Sequence, residues 1–171
     1  MSYDLDVKMN CKVRRDELLE DTRSVLMALL NLDECPALRM TRRENGREEE
    51  LGSEPVLLER GSFIIRLPET EALTLLVLFK VDALRGVPES ESGWHGAFTV
   101  MASAPHLSFA LTASAAIAFA RRQGAEVKIW DSATIWIRGG HDEHTVDEFM
   151  KGLGTQGWFV DLKKKAKGLF V

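Results

Sequence analysis

The residues best suited to chemistry in this chain stand together at His141-Asp142-Glu143-His144. Imidazole and carboxylate are good ligands for zinc and related metals. Gly139 and Gly140, just before them, would let the backbone approach a bound group closely. The spacing is not that of a helical H-E-x-x-H motif, and no distant cysteine or histidine cluster completes a set. A plainer reading is a solvated turn before a helix, whose acidic start suits the helix dipole. A metal-dependent enzyme or metalloprotein using His141, Asp142 and His144 is therefore the alternative reading rather than the preferred one.

Other constellations carry less. His95 and His106 could share a pocket with Asp131, since histidine is the commonest general base, but nothing in their spacing fixes such a geometry. Gly52-Ser53-Glu54, Gly61-Ser62-Phe63 and Ser92-Gly93 all lack the G-x-S-x-G frame of a hydrolase nucleophile. No G-K-[ST] follows Gly139-Gly140 or Gly152-Leu153-Gly154, so a P-loop is excluded. Lys163, Lys164, Lys165 and Lys167 form a basic cluster that reads as the wet side of an amphipathic tail. No cofactor is expected.

The elements that must position these residues follow from periodicity. Tyr3, Leu5, Val7 and Met9 alternate with Asp4, Asp6 and Lys8, which predicts a strand with one wet face. A helix starting at Asp16 follows, with Leu18, Val25, Leu29 and Leu32 on one stripe, and Pro36 closes it. Asn45-Gly46 is a strong hairpin turn. Its arms, within 42–50, are almost wholly charged and are expected to project into solvent. Short strands are expected over 38–42, 56–58 and 63–67. Residues 73–82 are apolar on both faces, as a central strand requires, and 94–102 should pair with them across an exposed loop holding Glu89 and Glu91. Pro105 opens an alanine-rich helix that Gly124 should end in a left-handed conformation. Strands are expected at 127–130 and 134–137. Thr145 with Glu148 forms a capping box for a third helix, and a tail over 158–171, ending in Leu169-Phe170-Val171, is expected to dock back on the body. The whole reads as a single α+β domain over 1–171: a largely antiparallel or mixed sheet with two to three helices mainly on one face.

Composition agrees with this and narrows the function classes. The 171 residues suit one domain, and 45% hydrophobic with 28% charged residues excludes a largely disordered chain. A net charge of −4 supplies no footprint for nucleic acid. The longest strongly apolar run, around Leu73 to Phe79, is far too short to span a bilayer. The acidic, alternating opening is the reverse of a signal peptide, so a cytoplasmic location is expected. Cys11 and Cys35 flank a predicted helix and are expected to stay reduced.

The opening Met1-Ser2-Tyr3-Asp4-Leu5 and the segment from Ser108 to Asp131 resemble small bacterial α+β immunity proteins of toxin/immunity systems. The likeness lies in an alternating first strand, an alanine-rich helix ended by glycine, and a short strand ending in aspartate. It implies a protein that binds one toxin and blocks its active site, and it assigns no functional residue. With it, the preferred expectation is a non-enzymatic protein that binds another protein, a basic toxin being the fitting partner. The expected contact residues are Glu89, Glu91 and Trp94, with Glu48, Glu49 and Glu50 of the hairpin, because tryptophan concentrates binding energy and exposed carboxylates serve no core. The remaining alternative is a homo-oligomer, such as a homodimer, that binds a small ligand near Trp94 and the central sheet.

Overall fold

Alternation at period two does produce the first strand. The computed structural model describes residues 1–52, 54–82, 92–140 and 142–170. In β1 (Ser2–Met9) Leu5 and Val7 are buried, while Asp4, Asp6 and Lys8 occupy the opposite face. Helix α1 (Arg15–Leu30) begins one residue before the expected start and buries Leu18, Val25, Leu26 and Leu29. It stops at Asn31, whose φ of 56° is left-handed.

β2 (Arg39–Glu44) and β3 (Arg47–Glu50) form the hairpin, with positive φ at Asn45 (50°) and Gly46 (76°), as a two-residue primed turn requires. The arms do not both project into solvent. β2 pairs with β4 (Gly61–Arg66), so only β3 is an exposed edge. The strand expected at 56–58 reduces to one bridge between Arg14 and Leu57. β5 (Leu73–Val81) and β6 (Gly93–Met101) are the central antiparallel pair.

Helix α2 (His106–Gln123) follows Pro105 directly. Gly124 ends it with a φ of 124° and an extended ψ of 163°, rather than the left-handed conformation expected. β7 (Lys128–Trp130) and β8 (Glu143–Thr145) complete the sheet. Helix α3 (Val146–Leu153) carries the predicted capping box: Thr145 Oγ1 accepts from the Glu148 N–H at 3.2 Å, and Glu148 Oε2 from the Thr145 N–H at 2.8 Å. The expected tail is mostly a fourth helix, α4 (Gly157–Ala166), which buries Phe159 and Ala166 and packs on α1 and α2.

The sheet order is β3-β2-β4-β5-β6-β1-β7-β8 with every pairing antiparallel, so the fold is α+β. The described residues hold four helices, not two to three, and they lie on one face. α2 rests directly on β1, β5, β6 and β7, while α1, α3 and α4 pack against α2 in turn. Residues 110–120 are all buried. Alanine at 110, 113, 115, 116, 118 and 120 keeps the helix thin enough to fit between two layers. Gly96 serves the same close approach, because a Cβ there would meet Phe119 at 3.1 Å.

Such packing leaves no room for added volume. Ala116→Leu should destabilise by about 2 kcal/mol through overpacking. Ala28→Leu, at an exposed position on α1, should change stability by less than about 0.5 kcal/mol. Urea midpoints of the two variants, at unchanged m-value, check this.

Candidate functional site

Trp94 is the second residue of β6, opposite Met9 of β1 and Lys80 of β5. It remains 38% exposed. With Met9, Leu58 and Leu78 it lines a cleft of about 390 Å³, rimmed by Asn10, Cys11, Lys12, Glu59 and Arg60. Lys12 Nζ and Glu59 Oε1 form an ion pair at 3.4 Å across that rim. A second hollow shares Leu58 and Glu59 and runs past Val56 and Leu57, both exposed, to Phe63. There the Arg42 guanidinium sits 5.8 Å over the Phe63 ring.

Strand register decides what else lies nearby. Arg43, Ser62, Val77, Ala97 and Asp6 form one row across the sheet. One end of the sheet, beyond that row, therefore holds the Asn45-Gly46 turn, the start of β4, the end of β5, the start of β6 and the end of β1. The hairpin turn and Trp94 are thus at the same end. Glu48, Glu49 and Glu50 are exposed along β3. Glu48 accepts from Thr41 Oγ1 at 3.0 Å and from Arg66 Nη2 at 2.6 Å. Glu49 and Glu50 have no hydrogen-bond or ion-pair partner through their side chains among the described residues. Glu89 and Glu91 lie outside the described residues.

Sequence reasoning missed the contribution of Met9, Val56 and Leu57 to this surface. The run Val56-Leu57-Leu58 signals apolar character, but it reads as a strand. In the fold it is an irregular segment bonded to the start of α1, with the Arg15 N–H donating to the Val56 carbonyl at 2.9 Å.

The residues with catalytic or ligating chemistry are dispersed. His141 lies outside the described residues. His144 is buried, its ring 6.1 Å from that of Phe149, and its Nε2 has no hydrogen-bond partner among the described residues. Asp142 is exposed. Among the described residues no three histidine, cysteine, aspartate or glutamate side chains gather as metal ligands would. His95, His106 and Asp131 share no pocket: His95 stacks on Phe79 on the open face of the sheet, whereas His106 packs against Phe109 and Trp158 on the helical side.

His95 does line a polar groove of about 640 Å³ with Asp6, Lys8, Trp130, Ser132 and Asp142. Burial, and then the neighbouring Asp4, push the Asp6 carboxyl above its ordinary range, opposed by His95. The Ser132 hydroxyl makes no hydrogen bond among the described residues. The basic residues Lys163, Lys164, Lys165 and Lys167 are exposed around α4, the wet side of a helix whose other side is buried.

Asp131 has a structural duty that its place in the sequence hides. It is fully buried and accepts backbone N–H bonds from Ile135 (3.2 Å), Trp136 (2.9 Å) and Ile137 (3.3 Å). Residues 134–137 therefore wrap around a carboxylate rather than forming the expected strand. Trp136, 1% exposed, is carried into an aromatic cluster with Phe109 and Trp158.

The chain was compared with protein-family models, curated proteins and solved structures, and it matches none of them.

Burial raises the Asp131 carboxyl above its ordinary range, although its three N–H donors and His144 pull it down. The folded state therefore holds this proton more tightly than the unfolded chain. Asp131 makes folding less favourable as pH rises from the ordinary carboxylate range through its raised value. Asp131→Ala should cost about 3 kcal/mol by orphaning buried N–H groups. Asp131→Asn should cost about 1 kcal/mol, because one amide oxygen still accepts, and it should lack this share of the pH dependence. Urea midpoints measured across the acid range test both.

Proposed function

We propose that this chain works by binding another protein rather than by catalysis, as an immunity protein binds and blocks a toxin. The contact surface is the end of the sheet that carries Trp94. The observation that carries this reading is a half-exposed tryptophan lining an apolar cleft at the same end as a charged hairpin turn. An apolar centre with a charged rim is the usual anatomy of a protein interface. Val56 and Leu57 extend the apolar part, and Lys12, Glu59 and Arg60 supply the rim. Glu49 and Glu50, without side-chain partners among the described residues, favour a basic partner and would act on the rate of encounter.

The test begins with capture of a partner by tagged chain from lysate of its own source, followed by binding measurements on the purified pair. Trp94→Ala should weaken affinity by about 30-fold, as loss of an anchor does. Glu49→Lys with Glu50→Lys should slow association several-fold, with a smaller effect at high salt. Affinity unchanged by Trp94→Ala would remove this surface from the reading. A stoichiometric metal or retained small molecule, in place of a protein partner, would overturn the reading itself.

A further inference from the structure

All four helices lie on one face of the sheet, and among the described residues no helix covers the other. On that open face β5 presents Leu73, Leu75, Val77, Phe79 and Val81, all partly exposed. A strand with one wet face alternates apolar with polar; a strand apolar on both faces is what a sheet covered on both sides requires. Ile64 on β4 and Ala97 on β6 flank the stripe at the heights of Leu75 and Val77.

The strands beyond these neighbours carry opposite charge. β1 and β2 each lie two strands from β5, on opposite sides. Facing outward, β1 shows Asp4 and Asp6, with Lys8 two residues on toward the Trp94 end, and β2 shows Arg39 and Arg43. Asp6 and Arg43 share the row of Val77, and Asp4 shares that of Leu75 with Thr41. Arg39 and Arg43 form no ion pair among the described residues, and neither Asp4 nor Asp6 pairs with a lysine or arginine. Asp4 Oδ1 is buried with no hydrogen-bond partner among the described residues.

We propose that a second copy of this chain covers the open face, related by a two-fold axis that runs along β5 between the two sheets. Such an axis reverses strand order while keeping height along the strands. β5 then lies over β5, β4 over β6, and β2 over β1. Arg43 of each copy meets Asp6 of the other, and Arg39 comes near Asp4. Stacked sheets are rotated by about 30°, which displaces a strand two positions away by about 5 Å, within reach of an arginine side chain. An axis running across the strands would instead set β1 on β1, carboxylate against carboxylate, and is disfavoured.

The five strands from β2 to β1 offer a footprint of roughly 550 Å² per copy, near the lower limit for a specific interface. The dimer should therefore dissociate in the micromolar range. It leaves the cleft lined by Trp94, Met9 and Leu78, on the helical side of the sheet, outside the contact and does not rest on the reading above.

The experiment is sedimentation equilibrium of the full chain from about 1 µM to about 500 µM. The mass should rise from 19.1 kDa toward twice that value. Val77→Glu should abolish association with the circular dichroism spectrum retained. Arg43→Asp, on the exposed end of β2, and Asp6→Arg should each weaken self-association by at least about 10-fold. Mixed in equal amounts, these two variants should dimerise with each other, because the hetero-pair restores both contacts while each homo-pair opposes like charges. A mass that stays at 19.1 kDa throughout the range overturns the proposal. A dimer that survives both Val77→Glu and Arg43→Asp, or single variants that fail to pair when mixed, overturns it too.

Discussion

Helix α2 is buried throughout 110–120 and its exposed residues, His106, Arg121 and Arg122, stand near its ends, so the polar groups buried along it call for partners inside the protein. Ser108, Thr112, Ser114 and Gln123 are all buried. Thr112 and Ser114 donate back to the carbonyls of Ser108 and Ala110, each at 2.7 Å. The other two join the helix to the sheet. Ser108 Oγ accepts from the Leu73 N–H at 3.2 Å, at the first residue of β5. Gln123 Oε1 accepts from the N–H groups of Asn10 and Cys11, at 2.7 and 2.8 Å, just past β1. The helix is thus held to the central strands at both ends, and the other three helices use it as their floor.

That arrangement sends surface chemistry to the ends and back of the sheet. With one face filled by α2 and its neighbours, the sheet residues left outside are those of strand termini, turns and the uncovered face. Trp94 is exposed at a strand start, and the polar groove around Asp6 and His95 lies on the face that carries no helix. The carboxylate that looks most like buried machinery, Asp131, is consumed by three backbone N–H groups. Burial and a raised proton affinity there reflect a folded turn, which shows why a perturbed group must be read with its partners before it is given a role.

Elements with a strong local signal were legible in the sequence. The alternation of β1, the Asn45-Gly46 turn, the Thr145–Glu148 cap and the alanine run of α2 each depend on neighbours in the chain, and each is present. What was not legible depends on contacts far apart in sequence. Residues 134–137 look like a strand until Asp131 turns back on them. The 56–58 run looks like a strand but finds only the residues around the start of α1 as partners. β8 is three residues long, Glu143-His144-Thr145, so no period could reveal it. For the site, Trp94 was identifiable from its place beside a loop. Its neighbours Met9, Leu57 and Leu58 were not, because three separated segments meet there only after folding.

The two borders of the sheet share a property that bears on how the protein behaves when crowded. A border strand exposes unpaired N–H and C=O groups to any extended segment that drifts by. Here one border is β3, Arg47-Glu48-Glu49-Glu50, exposed at every residue, and the other is the three-residue β8. An arriving strand would have to desolvate a row of charges at the first, and at the second would find too few groups to hold a register. Ribbon growth, the first step toward amyloid-like fibres, is opposed at both sides. The charges of the hairpin guard the sheet as well as decorate it.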